Sequence, residues 1–317
     1  MARTRDDEAS RLDEAARAGW LYYVAGKTQD EIAQALGLSR QSVQRLVSLS
    51  TSAGLVRVRI DHPIAACLDL AARLKNRFGL RFAEVTPSDP ASASTTLGIA
   101  DACAADLERR LSQPDPIILA IGTGRTLKAA VEHLPPMQCR QHRIVSLTGN
   151  VGLDGAASIY NVVFSMADRV GAPHYPMPLP VVATSPEERA FLHEQKMIRA
   201  TLSLAASADV AFVGIGQLGT GAPLVSDGFI SEAELEAVRR AGAVGEICGW
   251  LFDAAGRIVD CAFNRRVAGA PLPDIATCEV VAVAMGPAKQ AGLHAALGTL
   301  VNGVITDEAT AIALLAD

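Results

Sequence analysis

The chain has 317 residues, half of them hydrophobic and a fifth charged, which favours two domains over a single small module and excludes a disordered chain. Aromatic residues make up only 4% while Ala, Gly, Val and Leu abound, a bias suited to helix-on-strand packing in an α/β architecture rather than to a β-sandwich. The net charge of −5 argues against a nucleic-acid binder as a whole, but it is unevenly spread: residues 1–60 hold nine Lys/Arg against seven Asp/Glu, and residues 61–317 hold 20 against 27. Six widely spaced cysteines, with no CxxC or Cys/His cluster, read as free thiols, and neither a metal site nor a cofactor motif is expected. No run reaches the ~18–20 uninterrupted apolar residues of a membrane span, so the expected location is the cytoplasm.

The most informative early segment is TQDEIAQALGLSRQSVQRLV. Thr28 and Glu31 form a T-x-x-E capping box for a short helix whose inward stripe is Ile32, Ala33 and Leu36, and Gly37 stops it. Leu38 is placed to plug the angle before Ser39 caps a second helix, with Val43, Leu46 and Val47 inward. This is helix-turn-helix grammar. Facing outward on the second helix are Arg40, Gln41, Ser42, Gln44, Arg45 and Ser48, side chains able to bond base edges or phosphates. Ile32 to Ile60 contains no acidic residue, so the surface is expected to be unopposed positive. After Gly54, alternating LVRVRI predicts a short strand with Arg57 and Arg59 outward, as a wing touching the DNA backbone would have. The plainer reading is a capped helical hairpin with a solvated face; the agreement of box, turn, acid-free interval and wing favours a DNA-binding domain over residues 1–60.

The stretch from Trp20 to Ile60 resembles the DNA-binding head of SorC-type (SorC/DeoR) sugar-binding transcriptional regulators. That resemblance implies a C-terminal effector domain similar to the phosphosugar isomerase and glucosamine-6-phosphate deaminase fold, and a ligand-controlled regulator of a carbohydrate operon.

In residues 61–317 an amphipathic helix over Ile64–Phe78 is expected to link the head to the body or to pair subunits. Strand-length apolar runs then alternate with helical stretches: Phe82–Val85, Ile117–Ile121, Ile144–Leu147, Val210–Ile215, Val280–Met285 and Val301–Thr306. Such alternation implies a Rossmann-like parallel sheet with helices on both faces. Three runs end in glycine-rich loops, where open α/β sheets bind ligands. In the first, Gly122, Thr123, Gly124, Arg125 and Thr126 precede a helix, so backbone N–H groups, hydroxyls and a helix N-terminus converge on a spot suited to an anion or a polyol oxygen. TGNVG (148–152) and GQLGTGAP (216–223) are the other two. Each is equally readable as a turn. Glu246, in an otherwise apolar segment, is either an acceptor for sugar hydroxyls or a surface strand position. Lys289, just beyond a buried strand, either pairs with an anion or is a solvated helix lysine.

The segments DGAASIY, MPLPVVATSPEER, AGAVGEICGWLFDAAGR and VNGVITDEATA resemble recurrent stretches of SorC-type effector domains. The resemblance implies that GTGRT anchors a sugar or phosphate, that Gly149 and Asn150 line the pocket, that Glu246 binds hydroxyls and that Lys289 takes the family's lysine place. NVGLDGA and MPLPVVATSPEERA are most similar to regulators of polyol catabolism, such as sorbitol, mannitol or erythritol. A rival class is a sugar-phosphate isomerase or deaminase carrying an appended head. Proton shuttling needs a carboxylate or histidine beside the phosphate loop, and the six histidines are scattered, so no catalytic residue is expected. Partners expected are double-stranded operator DNA, a sugar, polyol or sugar phosphate, and further copies of the chain in a homodimer or homotetramer.

Overall fold

The computed structural model describes residues 2–56, 64–89, 96–152, 155–157 and 160–316. It divides into two compact units, Met1–Pro63 and Ile64–Asp317. The first unit holds helices α1 (Ala2–Tyr23), α2 (Gln29–Leu36) and α3 (Arg40–Ser52). The α2 start is the expected capping box: Thr28 N–H donates to Glu31 Oε2 at 2.8 Å and Glu31 N–H to Thr28 Oγ1 at 3.3 Å. Gly37 ends the helix at φ 65°, a left-handed conformation that glycine adopts without a Cβ penalty, and Ser39 Oγ accepts from Ser42 N–H at 3.1 Å to open α3. Ile32, Val43, Leu46 and Val47 close the core with Ala15 and Ala18 of α1, and Leu38 packs against them. Helix α1, which the turn grammar does not reveal, crosses α3 closely because residue 19 is glycine; a Cβ there would overlap the Ser50 side chain. Of the expected wing, Leu55 and Val56 are in a bend, and Arg57, Val58, Arg59 and Ile60 lie outside the described residues.

The second unit opens with α4 (Ala65–Phe78) and runs β1 (Phe82–Thr86), α5 (Leu97–Leu111), β2 (Ile118–Ile121), α6 (Arg125–His133), β3 (Arg143–Val151), α7 (Val162–Val170) and β4 (His174–Pro180). Then come α8 (Pro186–Glu194), α9 (Lys196–Ala206), β5 (Val210–Val213), α10 (Pro223–Ser226) and α11 (Glu232–Arg240). The hairpin β6 (Ala243–Ile247) and β7 (Trp250–Asp253), β8 (Glu279–Val283), α12 (Gln290–Ala296), β9 (Gly303–Asp307) and α13 (Glu308–Ala316) complete it. Seven strands form one sheet in the order β1-β9-β8-β5-β2-β3-β4, every neighbouring pair parallel. Side chains alternate between two cores. In β5, Val210 and Phe212 join the helices α5 to α7 on one face, while Ala211 and Val213 join α4, α9, α12 and α13 on the other. Burial on both faces is why these strands read as continuous apolar runs.

From β2 the chain proceeds outward through β3 to the β4 edge, then returns to place β5 on the other side of β2. The strand order therefore reverses between β2 and β5, and the loops leaving their carboxyl ends diverge to leave a crevice there. One expected loop is not a loop. Strand β3 runs to Val151, so Gly149 and Asn150 are strand residues, and the glycine permits β4 to approach: a Cβ on Gly149 would overlap the backbone of Pro180. Replacing Gly149 with Ala should thus cost ~1–3 kcal/mol of stability by overpacking against main chain that cannot rotate away, read as a lowered urea midpoint at unchanged slope. An unshifted midpoint would mean that residue 149 does not set the β3–β4 distance.

Candidate effector cavity and DNA-facing helix

A cavity of about 250 Å³ lies at the reversal of strand order. Its floor is the loop after β2. Gly122 N–H donates to Phe212 O at 2.8 Å, and Gly124, at φ 127°, turns the chain into α6 with no side chain capping the new helix. Thr123, Gly124, Arg125, Thr126 and Leu127 all line the cavity, so uncapped N–H groups at a helix N-terminus face it beside a guanidinium. Gly122 itself stands behind: a Cβ there would come within 2.9 Å of Cys248 Sγ, so glycine lets the hairpin turn close onto the loop.

The second wall is carried by β6 and β7, a hairpin that the sequence pattern does not betray. Its turn residues Cys248 and Gly249 have φ of 52° and 87°. Two positive φ values are the signature of a type I′ turn, whose usual Asn-Gly is here Cys-Gly. Gly216 at the end of β5 and Glu246 in β6 exchange backbone hydrogen bonds of 2.9 and 3.1 Å, which brings the Glu246 side chain over Gly216, where a Cβ would overlap the carboxylate. Gly249 N–H donates to Glu246 Oε2 at 2.8 Å. Burial pushes the Glu246 carboxyl above the ordinary carboxylate range, opposed by the Gly249 hydrogen bond and the positive Lys289. Lys289, after Gly286 and just before α12, is driven below the usual lysine range by the same burial; Glu246 holds it up and Arg125 pushes it further down. Cys248 is inert in acid–base terms, its buried thiol pushed up to about 12.

The nine residues of the expected effector set divide in two. Thr123, Gly124, Arg125, Thr126, Glu246 and Lys289 share the cavity; Asn150 does not, and with Gly122 and Gly149 it lines a separate narrow crevice of about 20 Å³ beneath the loop. The physical reason is the continuation of β3, which keeps residues 149 and 150 in the sheet beside β4 rather than in a loop at the cavity. The cavity also includes residues to which the sequence assigned no site role: Ile215, Leu224 and Phe229 as apolar wall, and Tyr160 and Asp227 as a polar pair. An apolar envelope with a few convergent polar groups is the ordinary make-up of a small-molecule site. Among the described residues no histidine lines it.

In the first unit, Gln41, Gln44 and Arg45 are exposed at helical spacing on one face of α3, as a major-groove reader requires. The surface is not free of acid, however. Arg40 pairs with Asp30 at 3.4 Å, both side chains about two-thirds exposed, because the turn folds the start of α2 back beside the start of α3. The Thr28 hydroxyl is engaged by Glu31 at 2.8 Å, and the Ser42 hydroxyl lies 2.9 Å from that of Ser39, so both serve helix starts.

Residues 62–316 match the Sugar-bind family, a sugar-binding domain, and residues 11–59 match a homeodomain-like domain. The chain is 35% identical over 302 residues to the erythritol catabolism regulatory protein EryD of Brucella abortus (strain 2308), covering 95% of this chain and 96% of that protein. It is 34% identical to the transcriptional regulator LsrR of Klebsiella pneumoniae, covering 95% and 92% of the two chains. The crystal structure of the full-length sorbitol operon regulator SorC from Klebsiella pneumoniae superposes with a TM-score of 0.71 at 26% identity, covering 96% of this chain and 99% of that one.

The electrostatics of the cavity give a pH signature. A carboxyl whose folded pKa is raised contributes stability that is fully present below its unfolded value near 4.5 and is lost as pH rises through the folded value. In Lys289→Met the positive charge that restrains Glu246 is gone, so stability should fall more steeply between pH 5 and pH 7 than in the unaltered chain. Adding Glu246→Gln should remove the extra slope. Urea titrations at the two pH values check this, and equal slopes for Lys289→Met and the parent would exclude the coupling.

Proposed function

The chain belongs to the SorC/DeoR-type sugar-binding transcriptional regulators, and on that premise we propose that the cavity between the ends of β2 and β5 is its effector site. The observation that carries the reading is the convergence, in one apolar cavity, of the α6 N-terminus, Arg125, Lys289 and Glu246. The helix N-terminus with Arg125 and Lys289 suits a phosphate or a hydroxyl oxygen, and the Glu246 carboxylate accepts from sugar or polyol hydroxyls. Since one relative is named for erythritol catabolism and a structural neighbour for the sorbitol operon, short polyols and their phosphates are the first compounds to test. The effector is bound and released unchanged, a reading supported by relatives that are named as regulators rather than as enzymes.

The other half of the function is specific binding of operator DNA. Gln41, Gln44 and Arg45 read base edges, while Arg40 and Arg57, the latter outside the described residues, meet phosphates; Thr28 and Ser42 hold the helix starts that aim the reader. One such helix touches too few base pairs for operator-level specificity, so the active form is a homodimer or homotetramer reading repeated half-sites in the cytoplasm. The effector regulates by binding the DNA-competent and DNA-incompetent states unequally, by ~1–3 kcal/mol for a typical coupling.

Gel shifts on the upstream region of the chain's own operon should show Arg45→Ala losing ~1–3 kcal/mol of specific affinity, whereas Arg57→Ala weakens all sequences alike and lowers the salt slope. Calorimetry against polyols and their phosphates should show Glu246→Gln weakening every ligand, and Lys289→Ala weakening phosphorylated ones most, with DNA affinity in the absence of ligand unchanged. Parental affinity in both variants would reject the cavity as the effector site, and ligand turnover seen by NMR would make the protein an enzyme.

A further inference from the structure

Two cavity residues to which the sequence assigned no role are bonded to each other. Tyr160, in the connection from β3 to α7, donates its hydroxyl to the two carboxylate oxygens of Asp227 at 3.2 and 3.4 Å. Asp227 follows α10 in the connection from β5 to α11, so the bond ties together the two connections that wall the cavity on this side. Ser226 Oγ adds a hydrogen bond to Asp227 Oδ1 at 3.3 Å. A carboxylate offers about four acceptor positions, so Asp227 retains acceptor capacity for a ligand after these bonds. Among the described residues no Arg, Lys or His forms an ion pair with it, in contrast to the carboxylates of Asp106 and Asp253. Its charge is felt inside the cavity, where it adds to the burial that moves both the Tyr160 hydroxyl and the Glu246 carboxyl up.

We propose that Asp227, oriented by Tyr160, is a specificity residue of the effector site, accepting from a hydroxyl-bearing, uncharged part of the ligand and turning away any ligand that would bring a second anion there. The proposal rests on the reading of this cavity as the effector site. It narrows the ligand class to a short polyol or sugar with at most one phosphate, that phosphate lying at the α6 N-terminus with Arg125 and Lys289. A bisphosphate would set its second phosphate beside an unpaired carboxylate within apolar walls, where like-charge repulsion is poorly screened. Tyr160 acts as a positioning residue: it fixes the plane of the carboxylate and leaves the charge in place.

The test is calorimetry on the full chain with erythritol, erythritol 4-phosphate and fructose 1,6-bisphosphate, using the parent, Asp227→Asn, Tyr160→Phe and Glu246→Gln, each checked for folding by a ligand-free melt. The parent should bind erythritol or its monophosphate and discriminate at least tenfold against the bisphosphate. Asp227→Asn should weaken the preferred ligand at least tenfold and narrow that discrimination, because the repelling charge is removed. Tyr160→Phe should weaken the ligand several-fold while the discrimination persists, a split that a merely structural residue would not produce. Should Asp227→Asn fail to fold, Asp227→Ser carries the same comparison. A parent that binds the bisphosphate as well as the monophosphate, or binds none of the three, overturns the proposal. Unchanged affinity and discrimination in Asp227→Asn while Glu246→Gln loses the ligand overturns it and leaves the effector site standing; unchanged behaviour in both variants overturns the two readings together.

Discussion

The joint on which the cavity depends is the exchange of backbone hydrogen bonds between Gly216 and Glu246, 2.9 and 3.1 Å long, that fastens a two-stranded hairpin to the end of β5. A parallel sheet whose strand order reverses leaves an open crevice by construction. It becomes an enclosed site here because the hairpin is folded across that opening, with Glu246 over Gly216 and Cys248 against Gly122. Both glycines are required by close approach, since a side chain at either would push the hairpin off the strand ends. The helices on the two faces of the sheet hold the strand ends in place, and the hairpin closes the crevice together with the connections that carry Tyr160 and Asp227.

The same enclosure sets the electrostatic character of the site. Ile215, Leu224, Phe229 and Val181 surround the charged groups with apolar surface, so fields between them are weakly screened. Burial moves Glu246 up and Lys289 down, each toward its uncharged form, and among the described residues neither forms an ion pair. Such groups carry a cost in the ligand-free fold, which on the proposed reading a molecule supplying matching hydroxyls and charge would relieve on binding. Recognition and stability are thereby linked through the same few atoms.

How much of this was legible in the sequence depended on the range of the signal. The helix-turn-helix start, the Gly37 stop and the Ser39 cap are written in consecutive residues and are realised there, as are the central strands, whose burial on both faces leaves unbroken apolar runs. The GTGRT loop, Glu246 and Lys289 could be singled out because polar residues stand out in apolar surroundings. The strand His174–Pro180 was hidden by its three prolines, tolerable because it is an edge strand and lacks a second neighbour to pair with. The hairpin was hidden because cysteine replaces the usual asparagine at a positive φ. Asn150 was read as part of a loop because nothing local shows β3 running on to Val151, and Tyr160 and Asp227 were given no role because what decides their surroundings is how connections far apart in the chain meet. The Arg40–Asp30 pair makes the same point in the first unit: an interval without acidic residues is not a surface without them.

Cys248 carries a consequence for what kind of signal the molecule can transmit. Its sulfur packs against Gly122 at the heart of the cavity and its thiol is held up at about 12, so almost none of it is thiolate under physiological conditions. Peroxides and disulfides attack the thiolate, not the thiol. A cysteine in the middle of a sensing pocket would ordinarily cross-wire nutrient status with oxidative stress. Here the burial that lets the hairpin close also keeps the Cys248 sulfur in its unreactive thiol form, so on the proposed reading this cysteine does not couple the cavity to redox chemistry.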